Sequence, residues 1–416
     1  MKNSYDILIV GAGHAGAHTA LTLRQLGFTG SIALLGEEPE LPYERPPLSK
    51  EFLGGDKPFE RLLIRPGSFW LERAVDVITG CRVVAIDPDA HTVRTAAGAT
   101  LTYGRLVWAT GGRARMLTCP GAQARGVRNL RTRADADWMQ SELADVQRVV
   151  IIGGGYIGLE VAASLSAKGK HVTVLEARER VLARVAGEVL SRFYEAEHRG
   201  RGIEVRLDAM VEAIETYDDR AVGVRLEDGV ILPAELIVVG VGIIPAVAPL
   251  VEAGVECADG VLIDEFARTR LPDVLAVGDC ARHVNSFAGG AQIRVESVQN
   301  AVDMATTAAR TLMGDLRPYH AVPWFWSTQY DLKLQTVGLS INYDQEVVRG
   351  DIATRSFSVI YLRQGRVIAL DCVNNARDFA QGRALVANGA QIDPVILADP
   401  CIPLKEAMIH SIIAPA

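Results

Sequence analysis

The same glycine spacing occurs twice in this chain, each time between an apolar run and an amphipathic one. The first copy, from Tyr5, reads YDILIVGAGHAGAHTALTLRQLGFTGSIALLGEE; the second, from Arg148, reads RVVIIGGGYIGLEVAASLSAKGKHVTVLEARERVL. In that setting a G-x-G-x-x-G pattern is read as the turn of a βαβ unit. Gly11 and Gly153 make the tight turn, Gly13 and Gly155 let the backbone approach a pyrophosphate, and Gly16 and Gly158 let the helix pack against the strand. Each helix start then offers free N–H groups and a partial positive charge to the phosphates. Each second strand ends in a carboxylate, Glu37 or Glu176, positioned to accept bonds from a ribose diol. For Glu37 a solvated acid beside Glu38 and Glu40 is the alternative. His14, inside the first loop, reads as a residue of the helix start, with a donor near the pyrophosphate as the alternative.

Two such units imply two dinucleotides. The simplest pair is a tightly but non-covalently held FAD and an exchangeable nicotinamide nucleotide, which makes the chain an oxidoreductase. Glu176 pairs with a free 2′-hydroxyl and repels a 2′-phosphate, so NADH is expected over NADPH; Arg178 and Arg180 keep the second choice open.

Composition removes other classes. The chain has 416 residues, enough for two or three domains, with 49% apolar and 22% charged residues, as in soluble globular proteins. A net charge of −7 without any Lys/Arg run speaks against nucleic acid as a partner. The longest charge-free stretch, Leu236 to Val251, is broken by Gly240, Gly242, Pro245 and Pro249, so no membrane span is expected. A strand pattern from Tyr5 leaves no room for an export signal, and a cytoplasmic protein is expected. Six cysteines without a CxxC pair suit a reducing compartment and speak against a disulfide framework and a zinc site.

Later segments fit the first unit. The strand in YGRLVWATGGRAR runs into Ala109, Thr110, Gly111 and Gly112, small residues suited to crossing a cofactor or to an ordinary strand exit. In LPDVLAVGDCA, Asp279 ends a short apolar strand, where an α/β sheet collects its ligands. In RVESVQNAVDMATTAARTLMG a helix starts near Ser297 and ends at Gly314; Glu296 and Ser297 are its capping candidates, and its first turn is able to face the flavin pyrimidine ring. After PYHAVPWFW the pattern changes to short strands, LQTVGL, QEVVRG and the hairpin SFSVIYLRQGRVIALDCV, then a helix from Ala376 to Asn388. Trp324 and Trp326 at this boundary read as filling a seam between domains. The expected organisation is a split FAD-binding domain, 1–114 and 245–325, an NAD-binding domain, 115–244, and a C-terminal α+β interface domain, 326–416.

With these segments together the chain resembles the FAD-dependent NADH:ferredoxin reductases of bacterial cytochrome P450 and aromatic-ring oxygenase systems, the putidaredoxin reductase-like family. GAGHAG, ERPPLSK, ATGG, GGGYIGLE, VGDCA, RVESVQNA and PWFWSTQYD carry the resemblance, in that order. It implies an α/β, glutathione-reductase-like fold with two Rossmann-type dinucleotide-binding domains plus the C-terminal α+β domain. It also implies that Lys50 lies near flavin N5 and pairs with Glu160, that Arg45 and Pro46 pass near the flavin and its pyrophosphate, and that Trp326 lies against the isoalloxazine ring. Lys50, Glu160 and Trp326 are then the catalytic candidates. The FAD candidates are Gly11, Gly13, His14, Ala15, Gly16, Glu37, Arg45, Lys50, Val83, Ala109, Thr110, Gly111, Arg113, Asp279, Val298 and Trp326. The NAD candidates are Gly153, Gly155, Tyr156, Ile157, Gly158, Glu160, Glu176, Arg184, Gly242 and Glu296. At His14 relatives more often carry an apolar residue.

The implied activity moves hydride from NADH to FAD and single electrons to a 2Fe–2S ferredoxin that supplies a cytochrome P450 or Rieske-type oxygenase. Rubredoxin reductase is the alternative. An apoptosis-inducing-factor-like binding flavoprotein is a more distant one, disfavoured by the charge balance. Related oxidases, peroxidases and disulfide reductases use cysteine near the flavin, and none lies between Met1 and Gly80. Arg310 and Lys333 are docking candidates for an acidic ferredoxin, and a monomer or weak dimer is expected. Replacement Glu176→Ala is expected to reduce the NADH-over-NADPH ratio of kcat/KM by about tenfold or more, the worth of a hydrogen bond to a charged group; an unchanged ratio excludes the assignment.

Overall fold

The computed structural model describes residues 2–407. The chain forms two compact units. One holds the residues up to Glu44, Phe59–Arg113 and Ile244–Pro323; the other holds Arg45–Pro58, Ala114–Ile243 and the chain from Trp324 on.

The first unit is built on a sheet whose parallel part runs Val75–Ile78, Ile32–Leu35, Ser4–Val10, Thr100–Trp108, Val274–Ala276. Central strands of a parallel sheet are covered on both faces, which is why the apolar run Ile7 to Val10 is buried throughout. Thr100–Trp108 also pairs antiparallel with Thr92–Thr95, which pairs with Val83–Asp87. Helix His14–Gln25 packs on helix Val298–Leu312, and both helices are rich in buried alanines, among them Ala15 on one and Ala301 and Ala308 on the other. Small side chains let these helices come close. Ser297 caps the second helix, its hydroxyl accepting from the Asn300 N–H at 3.0 Å. Glu296, expected to share in the capping, pairs instead with Arg294 at 2.6 Å.

The second unit contains a parallel sheet, Glu204–Arg206, His171–Leu175, Arg148–Ile152, Leu236–Val239, Val127–Arg128, and a three-stranded antiparallel sheet from Val211 to Pro233. It also contains a five-stranded antiparallel sheet ordered Trp324–Gln329, Leu332–Gly338, Arg366–Val373, Ser356–Arg363, Gln345–Asp351, with helix Ala376–Asn388 packed on it. The hairpin read from SFSVIYLRQGRVIALDCV turns at Gln364 and Gly365, both with positive φ (52° and 73°), the backbone that a two-residue hairpin loop needs. Among the described residues no helix is long and apolar enough to cross a membrane, and no His/Cys/Asp/Glu group is arranged to hold a metal.

A buried histidine in the first unit makes folding sensitive to acid. His283 lies on Ala281–Asn285, 3% exposed; its Nε2 accepts from the Asn285 amide at 3.1 Å while Nδ1 has no partner. Burial pulls the imidazole down to about 4. The unfolded chain, with an ordinary imidazole near ~6.5, binds the extra proton first, so stability is present above that pH and is lost as pH falls from about 6.5 towards 4. Replacement His283→Leu is expected to lose less Tm than the wild type over that window; parallel losses would remove His283 from the acid response.

Candidate functional site

Both glycine loops fold alike. Gly11 and Gly153 sit at φ +111° and +113°, and a Cβ on them would stand 2.2 and 2.5 Å from the carbonyl oxygens of Ala109 and Gly240. A Cβ on Gly16 or Gly158 would stand 1.9 or 2.0 Å from the carbonyl oxygen of Gly11 or Gly153. At Gly13 and Gly155, in contrast, a Cβ would meet nothing within 4 Å, and no side chain caps the helices His14–Gln25 and Tyr156–Ala167 that begin there. Tight backbone on one side, open space on the other and a helix start free of side-chain caps are what a pyrophosphate requires. The residues present fit one dinucleotide at each loop.

The carboxylates differ in setting. Glu37, just past Ile32–Leu35, is exposed, with Arg82 at 3.7 Å and Arg113 at 4.0 Å. Those separations leave its oxygens open to a diol. Glu176 Oε2 accepts from the Gly154 N–H at 2.8 Å and Oε1 from the Arg178 N–H at 3.0 Å, which fixes the carboxylate at the loop and leaves further lone pairs. The Arg180 guanidinium is committed to the Ala183 and Ala186 carbonyls and the Ser191 hydroxyl. That leaves Arg178, which is exposed, as the cation able to meet a 2′-phosphate.

Further residues of the first unit gather at its loop. Ala109 donates to the Val10 carbonyl at 2.7 Å, bringing the Ala109–Gly111 crossing against Gly11, and the Thr110 hydroxyl donates to the Ala246 carbonyl at 2.7 Å. Asp279 lies in the single turn Gly278–Cys280, which presses on the helix start: a Cβ on Gly278 would stand 2.9 Å from the Ala15 Cβ. Val298 opens the helix packed against His14–Gln25. Val83 is buried at the start of its strand, next to the Arg82 that faces Glu37. Arg310 lies in the last turn of Val298–Leu312.

In the second unit Lys50 and Glu160 meet, Nζ to Oε2 at 2.6 Å, with side chains 13% and 4% exposed. Glu160 projects from Tyr156–Ala167. Lys50 follows the turn Pro46–Ser49, whose prolines fix φ at its first positions and whose Pro46 carbonyl accepts from Nζ at 3.0 Å. The turn is pinned by Ser164 Oγ donating to the Ser49 carbonyl at 2.8 Å and by the Gln140 amide donating to the Phe52 carbonyl. Arg45 donates to the Arg131 carbonyl at 2.8 Å. Tyr156 places its ring 4.7 Å from Phe325 and buries its hydroxyl without a partner, whereas Ile157 is exposed. Arg184 reaches within 3.8 Å of where a Cβ on Gly242 would stand, so these two candidates meet. Trp326 is half-buried on Trp324–Gln329, its ring 5.6 Å from Trp324, which packs on Phe379. Lys333 lies exposed on the next strand, Leu332–Gly338.

Sequence reasoning missed two groups that touch Glu160. Ser49 Oγ donates to Oε2 at 2.6 Å and Ser327 Oγ to Oε1 at 2.7 Å. Both stand inside quoted motifs, ERPPLSK and PWFWSTQYD, but nothing local distinguishes a serine that serves a distant carboxylate from one that caps a turn.

Residues 5–305 match the family described as pyridine nucleotide-disulphide oxidoreductase, and residues 324–408 match the reductase C-terminal family. The chain is 57% identical to the 5,5'-dehydrodivanillate O-demethylase ferredoxin reductase subunit of a Sphingobium strain, over 97% of this chain and 98% of that one. It is 56% identical to a ferredoxin–NAD(P)(+) reductase of Sphingomonas sp. over 98% of each. Rubredoxin-NAD(+) reductase of Pseudomonas putida is 37% identical over 88% of this chain and 95% of its own length. Among solved structures, the reductase in the covalent putidaredoxin reductase–putidaredoxin complex superposes with a TM-score of 0.94 at 38% identity, covering 99% of both chains.

The loop geometry separates two glycines of one motif. Replacement Gly13→Ala is expected to keep the wild-type Tm while weakening retention of the nucleotide on desalting. Gly16→Ala drives a methyl into backbone and is expected to cost about 3 kcal/mol or more in stability. Equal effects of the two on Tm would contradict this division.

Proposed function

The chain belongs to the pyridine nucleotide-disulphide oxidoreductase family, and we propose that within it this protein is an NADH-dependent ferredoxin reductase. It takes hydride from NADH onto FAD and passes electrons singly to a 2Fe–2S ferredoxin that supplies a cytochrome P450 or Rieske-type oxygenase in the cytoplasm. FAD, when bound, supplies the conversion from a two-electron to a one-electron carrier. The residues of Gly11–Gly16, with Glu37, Ala109–Gly111 and Asp279, hold it; the residues of Gly153–Gly158 and Glu176 hold NADH, in keeping with an Arg180 already engaged elsewhere.

One observation carries the choice of acceptor. The Pro46–Lys50 turn presents a lysine paired with a buried glutamate and no thiol. All six cysteines of the chain are free, and burial pushes the thiols of Cys81, Cys119 and Cys257 up, Cys280 to about 11 and Cys372 to about 12. Protonated, unpaired thiols are poor nucleophiles and poor electron carriers, and the one exposed cysteine, Cys401, is free as well. No dithiol of this chain takes the electrons, so they leave for an external one-electron acceptor. Lys50 and Glu160 order the nicotinamide against the flavin, a task of alignment and charge placement.

NADH-driven cytochrome c reduction, run with a panel of 2Fe–2S ferredoxins and rubredoxins and with oxygen uptake as control, tests the reading. At least one ferredoxin is expected to raise the rate well above the carrier-free value and above any rubredoxin. Rapid oxygen uptake without stimulation by any carrier overturns the reading, and selective stimulation by rubredoxin replaces it with rubredoxin reductase.

A further inference from the structure

The inward face of a strand ordinarily carries apolar side chains, yet on the edge strand Trp324–Gln329 the two fully buried positions are Ser327 and Gln329. Their polar atoms join a continuous run. Gln329 Nε2 donates to Ser327 Oγ at 3.3 Å, Gln329 Oε1 lies 2.8 Å from Nε2 of the fully buried His198, and the Tyr330 hydroxyl lies 3.0 Å from His198 Nδ1. At the other end Ser327 donates to Glu160, whose second oxygen receives Ser49 and Lys50.

The direction of every bond is fixed by what each group is able to do. A carboxylate accepts only, so the Ser327 proton points at Glu160 and the hydroxyl oxygen is left to accept from the Gln329 amide. With its NH2 so used, Gln329 offers its carbonyl to His198, which must carry hydrogen on Nε2. Burial disfavours the imidazolium, so Nδ1 is bare and accepts from Tyr330. All four protons therefore point one way, toward Glu160. A proton is unable to pass such a run, because the amide in the middle would have to become an imidic acid; the run is a ladder of aligned dipoles. Hydrogen bonds in series polarise one another in a low-dielectric interior.

The outer end is held as firmly. Tyr330 takes φ +58°, a left-handed backbone uncommon outside glycine, in the turn between two strands. Arg201 stacks over its ring at 4.2 Å and pairs with the neighbouring Asp331, which Arg355 also binds. The turn is held in a disfavoured conformation that places the hydroxyl on His198.

We propose that Ser327, Gln329 and His198 are positioning residues that act on the redox face through Glu160: the dipole ladder fixes the carboxylate and thereby holds the Lys50 ammonium in place. The inference rests on the proposed part of Lys50 and Glu160 in hydride transfer, but its test reads the pair directly.

The test uses the full-length FAD-loaded protein and its Ser327→Ala, Gln329→Met and Ser327→Thr variants. Acetylation of Lys50 by a small activated ester, normalised to the exposed Lys168 and read by mass spectrometry, reports how firmly the ammonium is held. Ser327→Ala and Gln329→Met are each expected to raise that ratio about fivefold and to slow single-turnover hydride transfer by a similar factor, with the KM for NADH unchanged. Ser327→Thr, which keeps the hydroxyl, is expected to restore both. A lowered Tm with the Lys50 ratio unchanged in both truncating variants overturns the proposal and leaves these residues as packing. A raised ratio with hydride transfer unchanged supports the ladder and removes the Lys50–Glu160 pair from the hydride step, so the two readings fail separately. Should Gln329→Met not fold, Ser327→Ala against Ser327→Thr decides alone.

Discussion

A carboxylate is able only to accept hydrogen bonds, and Glu160 is buried where donors must be brought to it. Withdrawing such a group from water is costly, and removing one partner of a buried ion pair costs about 3–5 kcal/mol because the other charge is left uncompensated. Its donors come from two distant parts of the chain, Ser49 and Lys50 on one side and Ser327 on the other. The need to satisfy one side chain thus ties the Pro46–Ser49 turn, helix Tyr156–Ala167 and strand Trp324–Gln329 together. With the bonds from Ser164 to Ser49, Gln140 to Phe52 and Arg45 to Arg131, it places the short segment Arg45–Pro58 in the second unit, while the residues on both sides of it belong to the first.

The glycine loops impose a different constraint, one of space. At Gly11 and Gly153 the opposing carbonyl stands where a side chain would begin, and at Gly16 and Gly158 the turn's own carbonyl does. Each loop is closed by contact with the crossing strand exit, Ala109 or Gly240, so the position of the helix start follows from the sheet and not from a side-chain cap. The same physics met twice gives two loops whose φ angles differ by 2° (113° − 111°). A loop of this kind is a property of backbone, set by its glycines and by the carbonyls that stand against them.

That is also why so much of it was legible. Glycine spacing, strand-ending carboxylates, a serine before a helix and a hairpin are local devices: Ser297 caps, SFSVIYLRQGRVIALDCV forms its hairpin, and Glu176 stands by its loop. The Glu160 environment was not legible from the residues themselves. Its partners lie 111 and 167 positions away for the two serines, and 110 for Lys50, so only the folded chain brings them together. Resemblance to known reductases supplied Lys50 but not the hydroxyls, since serine is common and leaves no periodic signal. His198 sits on helix Glu188–Gly200, where Leu190, Ser191, Phe193 and Tyr194 are also buried and make it read as one more interior position. Glu296 went the other way, a plausible cap that a neighbouring arginine claimed.

Strand Trp324–Gln329 joins the two constraints. Successive side chains of a strand point to opposite faces, so Phe325, Ser327 and Gln329 share one face and Trp324, Trp326 and Thr328 the other. On the first face Phe325 meets Tyr156 and Ser327 meets Glu160, both on the helix that the second glycine loop begins. A slip of one residue would exchange the faces, turning Trp326 toward that helix and removing the donor from Glu160. Each hydrogen bond in the run from Tyr330 to Glu160 is therefore also a statement about where Trp326 stands. The place of Trp326 and the donor to Glu160 are thus set by one strand register, that of Trp324–Gln329 on Leu332–Gly338.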